Sequence, residues 1–232
     1  MSRVLVLGGT GACGRWLVHY LCQEESVEKI DVFTRRNLPA DTLQSLFHGV
    51  DDQLLPKLNI VVVDFSSLDV TLFSDAEKNY AACFCALGTT AGDAGGSKGR
   101  HLVDYGIPLE CAQHLRSVAA DTCFTFSLVT AEGASAKSGI AYNKTKGLLE
   151  DAVKAMNFPV LSIYRPGLLG RGDQARCVEK CLGCCISKMD VKYVGLAMCV
   201  QWVNTRSGLS TTGEPRTEIF RNKEIKSISS NR

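Results

Sequence analysis

No apolar run in this 232-residue chain reaches the ~20 residues that a helix needs to cross a bilayer. Residues 3–7 (Arg-Val-Leu-Val-Leu) run straight into glycines, too short an apolar segment for the h-region of a secretory leader. Blocks of five or six like charges are missing and the formal net charge is +2, so nothing points to nucleic acid or to an anionic membrane surface. His19, His48, His101 and His114 are scattered and share no metal-ligand spacing, so no metal site is expected from them. Cysteine is the one unusual excess, at eleven. Cys83, Cys85 and Cys123 fall in apolar, strand-like runs, where a thiol acts as a small hydrophobe. The expectation is free thiols in a reducing compartment, hence a cytoplasmic protein, with a peripheral seat on an organelle membrane such as the mitochondrial one as the alternative. Cys177, Cys181, Cys184 and Cys185 share one face of an expected helix and read as a buried apolar stripe, because structural zinc sites draw on two separated pairs.

Short apolar runs at residues 3–7, 30–33, 60–63, 81–87, 122–129 and 160–164 read as strands. Helical periodicity follows the first glycine loop and recurs over 102–118 and 142–156, while residues 91–99 form a Gly/Ala/Ser-rich loop. Near-continuous apolar strands alternating with helices predict an α/β fold, a doubly wound parallel sheet covered on both faces. A core over residues 1–167 is expected, followed by a small helical lobe over 168–232. That lobe would carry helices at 177–187 and 191–203, then a polar tail after Arg206 whose last dozen residues fray.

Three patterns carry chemistry. The first is Gly8-Gly9-Thr10-Gly11-Ala12-Cys13-Gly14, set between an expected strand and an expected helix. Glycines there permit a tight turn and close approach of the backbone to a pyrophosphate, which the helix N-terminus then favours. Arg15, a cation in the first turn, opposes the helix dipole unless a partner sits nearby. The second is Thr34-Arg35-Arg36, about twenty residues past the glycines, where NAD sites place an acid on the ribose 2′-hydroxyl and NADP sites an arginine. No acid follows that strand until Asp41, so Arg35 and Arg36 favour NADP(H). Asp64 and Phe65, ending the third strand, fall at the adenine; Leu87, Gly88 and Thr89, ending the fourth, face the ribose and nicotinamide side. The third is Tyr142-Asn143-Lys144-Thr145-Lys146. Residues 142 and 146 share a helix face, and an ammonium near a phenol favours phenolate, which makes Tyr142 a usable acid or base. Lys146 can also hold the nicotinamide ribose. Thr130, at the end of the fifth strand, can hold a substrate carbonyl or orient the phenol.

Together these motifs resemble the short-chain dehydrogenase/reductases, and in detail the Tat-interacting-protein oxidoreductases. The resemblance rests on Gly8-x-x-Gly11-x-x-Gly14, Arg35-Arg36, Leu87-Gly88-Thr89-Thr90, Tyr142-x-x-x-Lys146-Gly147 and Tyr164-Arg165-Pro166-Gly167-Leu168-Leu169-Gly170, and it spans residues 3–205. It implies a Rossmann core, NADPH as ligand, Tyr142 and Lys146 as catalytic-type residues, and a segment Arg165-Pro166-Gly167 passing beside the nicotinamide. Thr130 departs from the serine usual in that branch. The expected function is an NADP(H)-dependent oxidoreductase of a carbonyl or alcohol. The alternatives are an NADPH-binding regulatory or scaffold protein without turnover, and an epimerase that keeps its nicotinamide bound. The expected partner is an unidentified small-molecule substrate, and a homodimer or protein partner is compatible with the chain.

Overall fold

The structure, a computed structural model, describes residues 2–73, 79–90, 92–118, 123–170, 188–207 and 214–230. The chain begins with strand β1 (Ser2–Leu7), helix α1 (Ala12–Gln23), β2 (Val27–Thr34), α2 (Ala40–Leu46), β3 (Leu58–Val62) and β4 (Tyr80–Cys85). A helical stretch then runs through α3 (Ser97–His101), a π-helical segment (Leu102–Gly106) and α4 (Ile107–Val118). After it come β5 (Thr125–Val129), α5 (Ala141–Lys154), β6 (Val160–Arg165), the two-residue strands β7 (Leu169–Gly170) and β8 (Met189–Asp190), α6 (Val191–Ser207), β9 (Arg216–Arg221) and α7 (Asn222–Ser230). The main sheet has seven strands in the order β3-β2-β1-β4-β5-β6-β9, all parallel. This is the expected doubly wound α/β architecture, with the order of strand addition reversing between β1 and β4.

Side-chain alternation explains the three layers. Val4 and Val6 of β1, with Ala82 and Phe84 of β4, face α1 and α6; Leu5, Leu7, Cys83 and Cys85 face α4 and α5. On the first face, Gly195 of α6 lets two helices touch: a β-carbon there would lie 2.6 Å from the Leu17 amide nitrogen. One buried charge interrupts the other face. Asp31 of β2 is fully enclosed and accepts from Arg3 Nε at 3.0 Å, from Asn59 Nδ2 at 2.8 Å and from the Tyr80 hydroxyl, so a single carboxylate ties β2 to β1, β3 and β4. Burial and that carboxylate push the Tyr80 phenol well above its ordinary range.

The C-terminal stretch departs from expectation. Residues 216–221 form β9, an edge strand beside β6, and 222–230 form a helix whose Ile225 is buried, not a frayed tail. β9 completes the main sheet beside β6, and α6 packs against the sheet. The helix expected at 191–203 extends to Ser207. The cysteine run Cys177–Cys185 and its expected helix lie outside the described residues. Among the described residues no group of His, Cys, Asp or Glu could hold a metal ion, and no helix is long and apolar enough to cross a membrane.

Candidate functional site

The C-terminal ends of the strands converge on two clefts. The larger, about 840 Å³, is lined by the turn after β1 (Gly11, Ala12, Cys13), the segment after β4 (Ala86 to Thr90), the segment after β5 (Thr130 to Glu132), Tyr142, Asn143 and Lys146 of α5, and Pro166 to Leu169 after β6. Asp93 and Arg100 stand at it too. The smaller, about 440 Å³, is lined by Arg35, residues 62–66, and Leu102, Val103 and Ile107. Ligands of open parallel sheets bind at this end, where the strand order reverses.

The glycine turn is built for close approach. Gly8 has φ +79°, a conformation that glycine adopts without strain, and its carbonyl takes the Gly11 amide at 3.0 Å. A β-carbon on Gly14 would lie 2.1 Å from the Gly8 carbonyl oxygen, so α1 can start only with glycine at that point. No acid occupies the first turn of α1. Ala12 and Cys13, the first two residues of α1, line the cleft, so the N-terminus of the helix faces it. Thr10, Gly8 and Gly14 shape the turn and do not line the cleft. Arg15 Nε donates to the Thr10 carbonyl at 2.8 Å, which gives that first-turn cation its partner within the turn.

Arg35 is exposed and lines the smaller cleft, whereas Arg36 is not among the residues lining either cleft, and its carbonyl accepts from the Thr34 hydroxyl at 2.8 Å. Asp64 and Phe65 are brought together with Arg35. The Asp64 carboxylate accepts from the Ser66 hydroxyl at 2.6 Å and the Ser66 amide at 2.9 Å, and these bonds hold its carboxyl below the usual range. Val62 and Leu102 expose about half their surface here, 54% and 50%, forming an apolar slot with an arginine at its edge.

On α5, Tyr142 is half-buried at the larger cleft, and its hydroxyl makes no hydrogen bond among the described residues. Lys146 is 1% exposed. Its Nζ lies 3.0 Å from Asp104 Oδ1 and donates to the Leu87 carbonyl at 3.1 Å. Asp104 sits in the π-helical segment, fully buried, and also accepts the Thr89 amide at 3.3 Å. Pro108 explains the segment: it lacks the amide that would bond the Asp104 carbonyl, and the helix widens one turn earlier.

Thr130 and Arg165 are committed elsewhere. The Thr130 hydroxyl donates to Glu150 Oε1 at 2.7 Å, and Arg165 Nε donates to the same oxygen at 2.9 Å while its Nη2 bonds the other. Glu150, 1% exposed on α5, thus gathers the ends of β5 and β6 behind the cleft. Thr130 touches the cleft with its hydroxyl proton spent, Arg165 does not line it, and the next residue, Ala131, brings only a methyl group. Gly167 does line the cleft; its amide donates to Asn222 Oδ1 of α7 at 2.9 Å.

Asp104, Glu150 and Asn222 were not anticipated from sequence. For the two acids there was a signal: each interrupts an otherwise apolar helix stripe, Asp104 with Ile107 and Cys111, Glu150 with Leu149 and Val153. Asn222 had none, because it follows a strand that the sequence does not announce.

No family model matches the sequence. Among solved structures, the fold resembles the PhqB reductase domain from Penicillium fellutanum (TM-score 0.69, 14% identity, 95% of this chain and 66% of that one). It also resembles a carbonyl reductase from Pseudomonas aeruginosa PAO1 (TM-score 0.63, 15% identity, 97% and 98%). UDP-glucuronic acid 4-epimerase from Bacillus cereus, solved with NAD, matches at TM-score 0.60 and 13% identity over 98% and 91%. The chain thus has a Rossmann-like α/β fold, the fold of these reductases and of that epimerase. In sequence it is 33% identical over 176 residues to "Protein FMP52, mitochondrial" of Lodderomyces elongisporus, covering 75% of this chain and 70% of that one. Similar proteins of the same name in Aspergillus clavatus and Aspergillus niger are also labelled mitochondrial. Those labels overturn the cytoplasmic expectation, which leaned on thiol content; unpaired thiols report redox conditions and carry no address. At that identity and coverage, the chain belongs to the FMP52 family.

Proposed function

We propose that the protein is an NADP(H)-dependent oxidoreductase acting on a carbonyl or alcohol, and that it works in mitochondria, as the names of its relatives suggest. The observation that carries this reading is the meeting, in one cleft, of the open N-terminus of α1 with Tyr142 and Lys146. The residues present fit a dinucleotide. Ala12, at the N-terminus of α1, would face a pyrophosphate, Val62, Leu102 and Phe65 would cover an adenine ring, and Arg35 would meet a 2′-phosphate. The bound nicotinamide supplies or accepts a hydride. Tyr142, with its hydroxyl unspent, gives or takes the proton at the substrate oxygen, and Lys146 holds the ribose from the floor of the cleft. Arg36, next in sequence to Arg35, lines neither cleft. The Tat-interacting-protein branch offers the same motif set, and the FMP52 name neither adds to nor subtracts from its chemistry.

One observation favours a second reading, an NADPH-binding regulatory protein without turnover. The Thr130 hydroxyl donates to Glu150, so it has no proton for a substrate carbonyl. A thermal melt with NADPH, NADH or neither tests the shared part of both readings. At a hundredfold excess over Kd, binding adds about 2.7 kcal/mol, which for a chain of this size raises Tm by about 5–10 °C. The rise is expected with NADPH and lost in Arg35→Ala; no rise with either nucleotide refutes cofactor binding. A panel of aldehydes and ketones, with NADPH oxidation followed in the parent and in Tyr142→Phe, then separates enzyme from binding protein.

A further inference from the structure

Four charged side chains line the larger cleft: Lys146, Asp93, Glu132 and Arg100. Three of them are engaged within the chain. Lys146 is paired with the buried Asp104. Asp93 folds back on its own loop, accepting from the Thr90 hydroxyl at 2.8 Å while its amide donates to that hydroxyl oxygen at 3.1 Å. Glu132 is exposed, and it stands close enough to Arg165 to help keep that guanidinium charged. Arg100 differs. It is half-buried on α3, yet its guanidinium makes no hydrogen bond or ion pair among the described residues. The other half-buried arginines described each have a partner: Arg3 in Asp31, Arg15 in the Thr10 carbonyl, Arg165 in Glu150 and Arg216 in Glu218. A guanidinium presents five donors in a rigid fork that matches the oxygens of a carboxylate or a phosphate. The backbone that carries it is tied down. The Arg100 amide donates to the Gly96 carbonyl at 3.1 Å, and a β-carbon on Gly99 would lie 1.9 Å from the Ala94 carbonyl oxygen, so α3 packs directly on the loop after β4.

We infer that Arg100 determines substrate specificity by binding an anionic group, so that the carbonyl compounds taken are acids, carrying a carboxylate or a phosphate besides the reacting carbon. This inference rests on the oxidoreductase reading of the same cleft. In that reading the anionic groups of the dinucleotide already have their counterparts, the pyrophosphate in the N-terminus of α1 and the 2′-phosphate in Arg35. Arg100 is the cation left over in the cleft that holds Tyr142. The segment Ser97-Lys98-Gly99-Arg100-His101 adds two further basic residues and no acid. With its charged group on Arg100 and its carbonyl oxygen at Tyr142, a substrate is fixed at two points, which orients the carbon that exchanges hydride.

The test follows NADPH oxidation with two matched pairs, succinate semialdehyde against butanal and glycolaldehyde phosphate against glycolaldehyde. In the parent, kcat/KM for the acidic member of one pair is expected to exceed that of its neutral partner by about 10–100-fold, the factor a charge-assisted hydrogen bond supplies. Which pair shows the preference tells carboxylate from phosphate. Arg100→Gln should bring that ratio to within about threefold of one, chiefly through KM, and Arg100→Lys, a point charge without the fork, should keep part of it. Because the Arg100 side chain holds nothing within the chain, both variants should fold, which a thermal melt checks. A parent without preference in either pair overturns the inference, as does a preference that survives Arg100→Gln. Weaker NADPH binding in Arg100→Gln with the ratio unchanged overturns it too, because Arg100 would then serve the cofactor. Calorimetric titration of succinate and of inorganic phosphate, with and without NADP+, reads the anion site apart from turnover. A parent that oxidises NADPH with none of the four compounds but binds one of these anions, and loses it in Arg100→Gln, gives up the enzyme reading and keeps the site. Neither binding nor preference sinks the site, whatever the neutral aldehydes do.

Discussion

Replacing Gly14 by alanine sets two effects against each other. Alanine favours a helix over glycine by about 1 kcal/mol, and Gly14 lies within α1. The methyl group, however, would lie 2.1 Å from the Gly8 carbonyl oxygen and 2.8 Å from Gly9 Cα, where carbon contacts settle at about 3.5–4.0 Å. Both obstacles are backbone, so no rotamer relieves them; α1 or the turn must move by about 1 Å. Overpacking of this kind costs up to about 3 kcal/mol, which leaves a net loss of about 2 kcal/mol and a fall in Tm of about 4–8 °C. The same movement displaces the amides of Ala12 and Cys13, so the NADPH-induced rise should vanish as well. Urea melts and thermal melts of Gly14→Ala are best read beside Gly139→Ala, where a methyl group meets nothing within 4 Å and the change should stay within about 0.5 kcal/mol. A Gly14→Ala protein as stable as the parent, or more so, would refute the close-approach argument, because helix propensity would then have won.

Ser66→Ala removes the shorter of the two bonds to Asp64, and its carboxyl should return part of the way towards the ordinary value, read by carboxyl NMR titration. Because the folded-state value lies below the unfolded one, Asp64 stabilises the fold above the unfolded value and loses that contribution as pH falls through the folded one. The variant should narrow that acid window; an unshifted titration would count against the Ser66 bond. Thr125→Val replaces a buried hydroxyl that has no hydrogen-bond partner among the described residues with a methyl of the same shape, and should raise stability by about 1–2 kcal/mol in urea melts. A loss in that variant would show that the hydroxyl is satisfied in solution.

The parts of this fold that could be read from sequence are those whose signal is local. Apolar runs such as Val4–Leu7 or Ala82–Cys85 are buried on both faces and announce themselves as parallel strands; the glycines at 8, 11 and 14 mark the turn after β1. Strand β9 was hidden because it lies at the edge of the sheet: Arg216, Glu218 and Phe220 turn one way and Thr217, Ile219 and Arg221 the more exposed way, so no apolar run forms. In the site, helical spacing placed Tyr142 and Lys146 together at the cleft, yet it could not reveal that each buried charge nearby has its counterpart on another element. Lys146 finds Asp104, and Glu150 finds Arg165, only once the helices dock. For Thr130, read from sequence as holding a substrate carbonyl or orienting the phenol, spacing fixes the hydroxyl's place in the chain and does not reveal Glu150 as its acceptor.

The bond from the Gly167 amide to Asn222 has a consequence for the order in which the protein comes into being. Gly167 borders the cleft, and the side chain that fixes its backbone belongs to a helix that follows the last strand of the sheet. On the ribosome, every other strand of the main sheet can pair while that helix is still unmade. The cleft-lining segment after β6 takes its final form only when Asn222 has emerged and β9 has closed the sheet's edge. Competence to hold a ligand is therefore acquired late in synthesis, and a chain cut short near its C-terminus would keep most of its sheet while losing the fastening of its cleft.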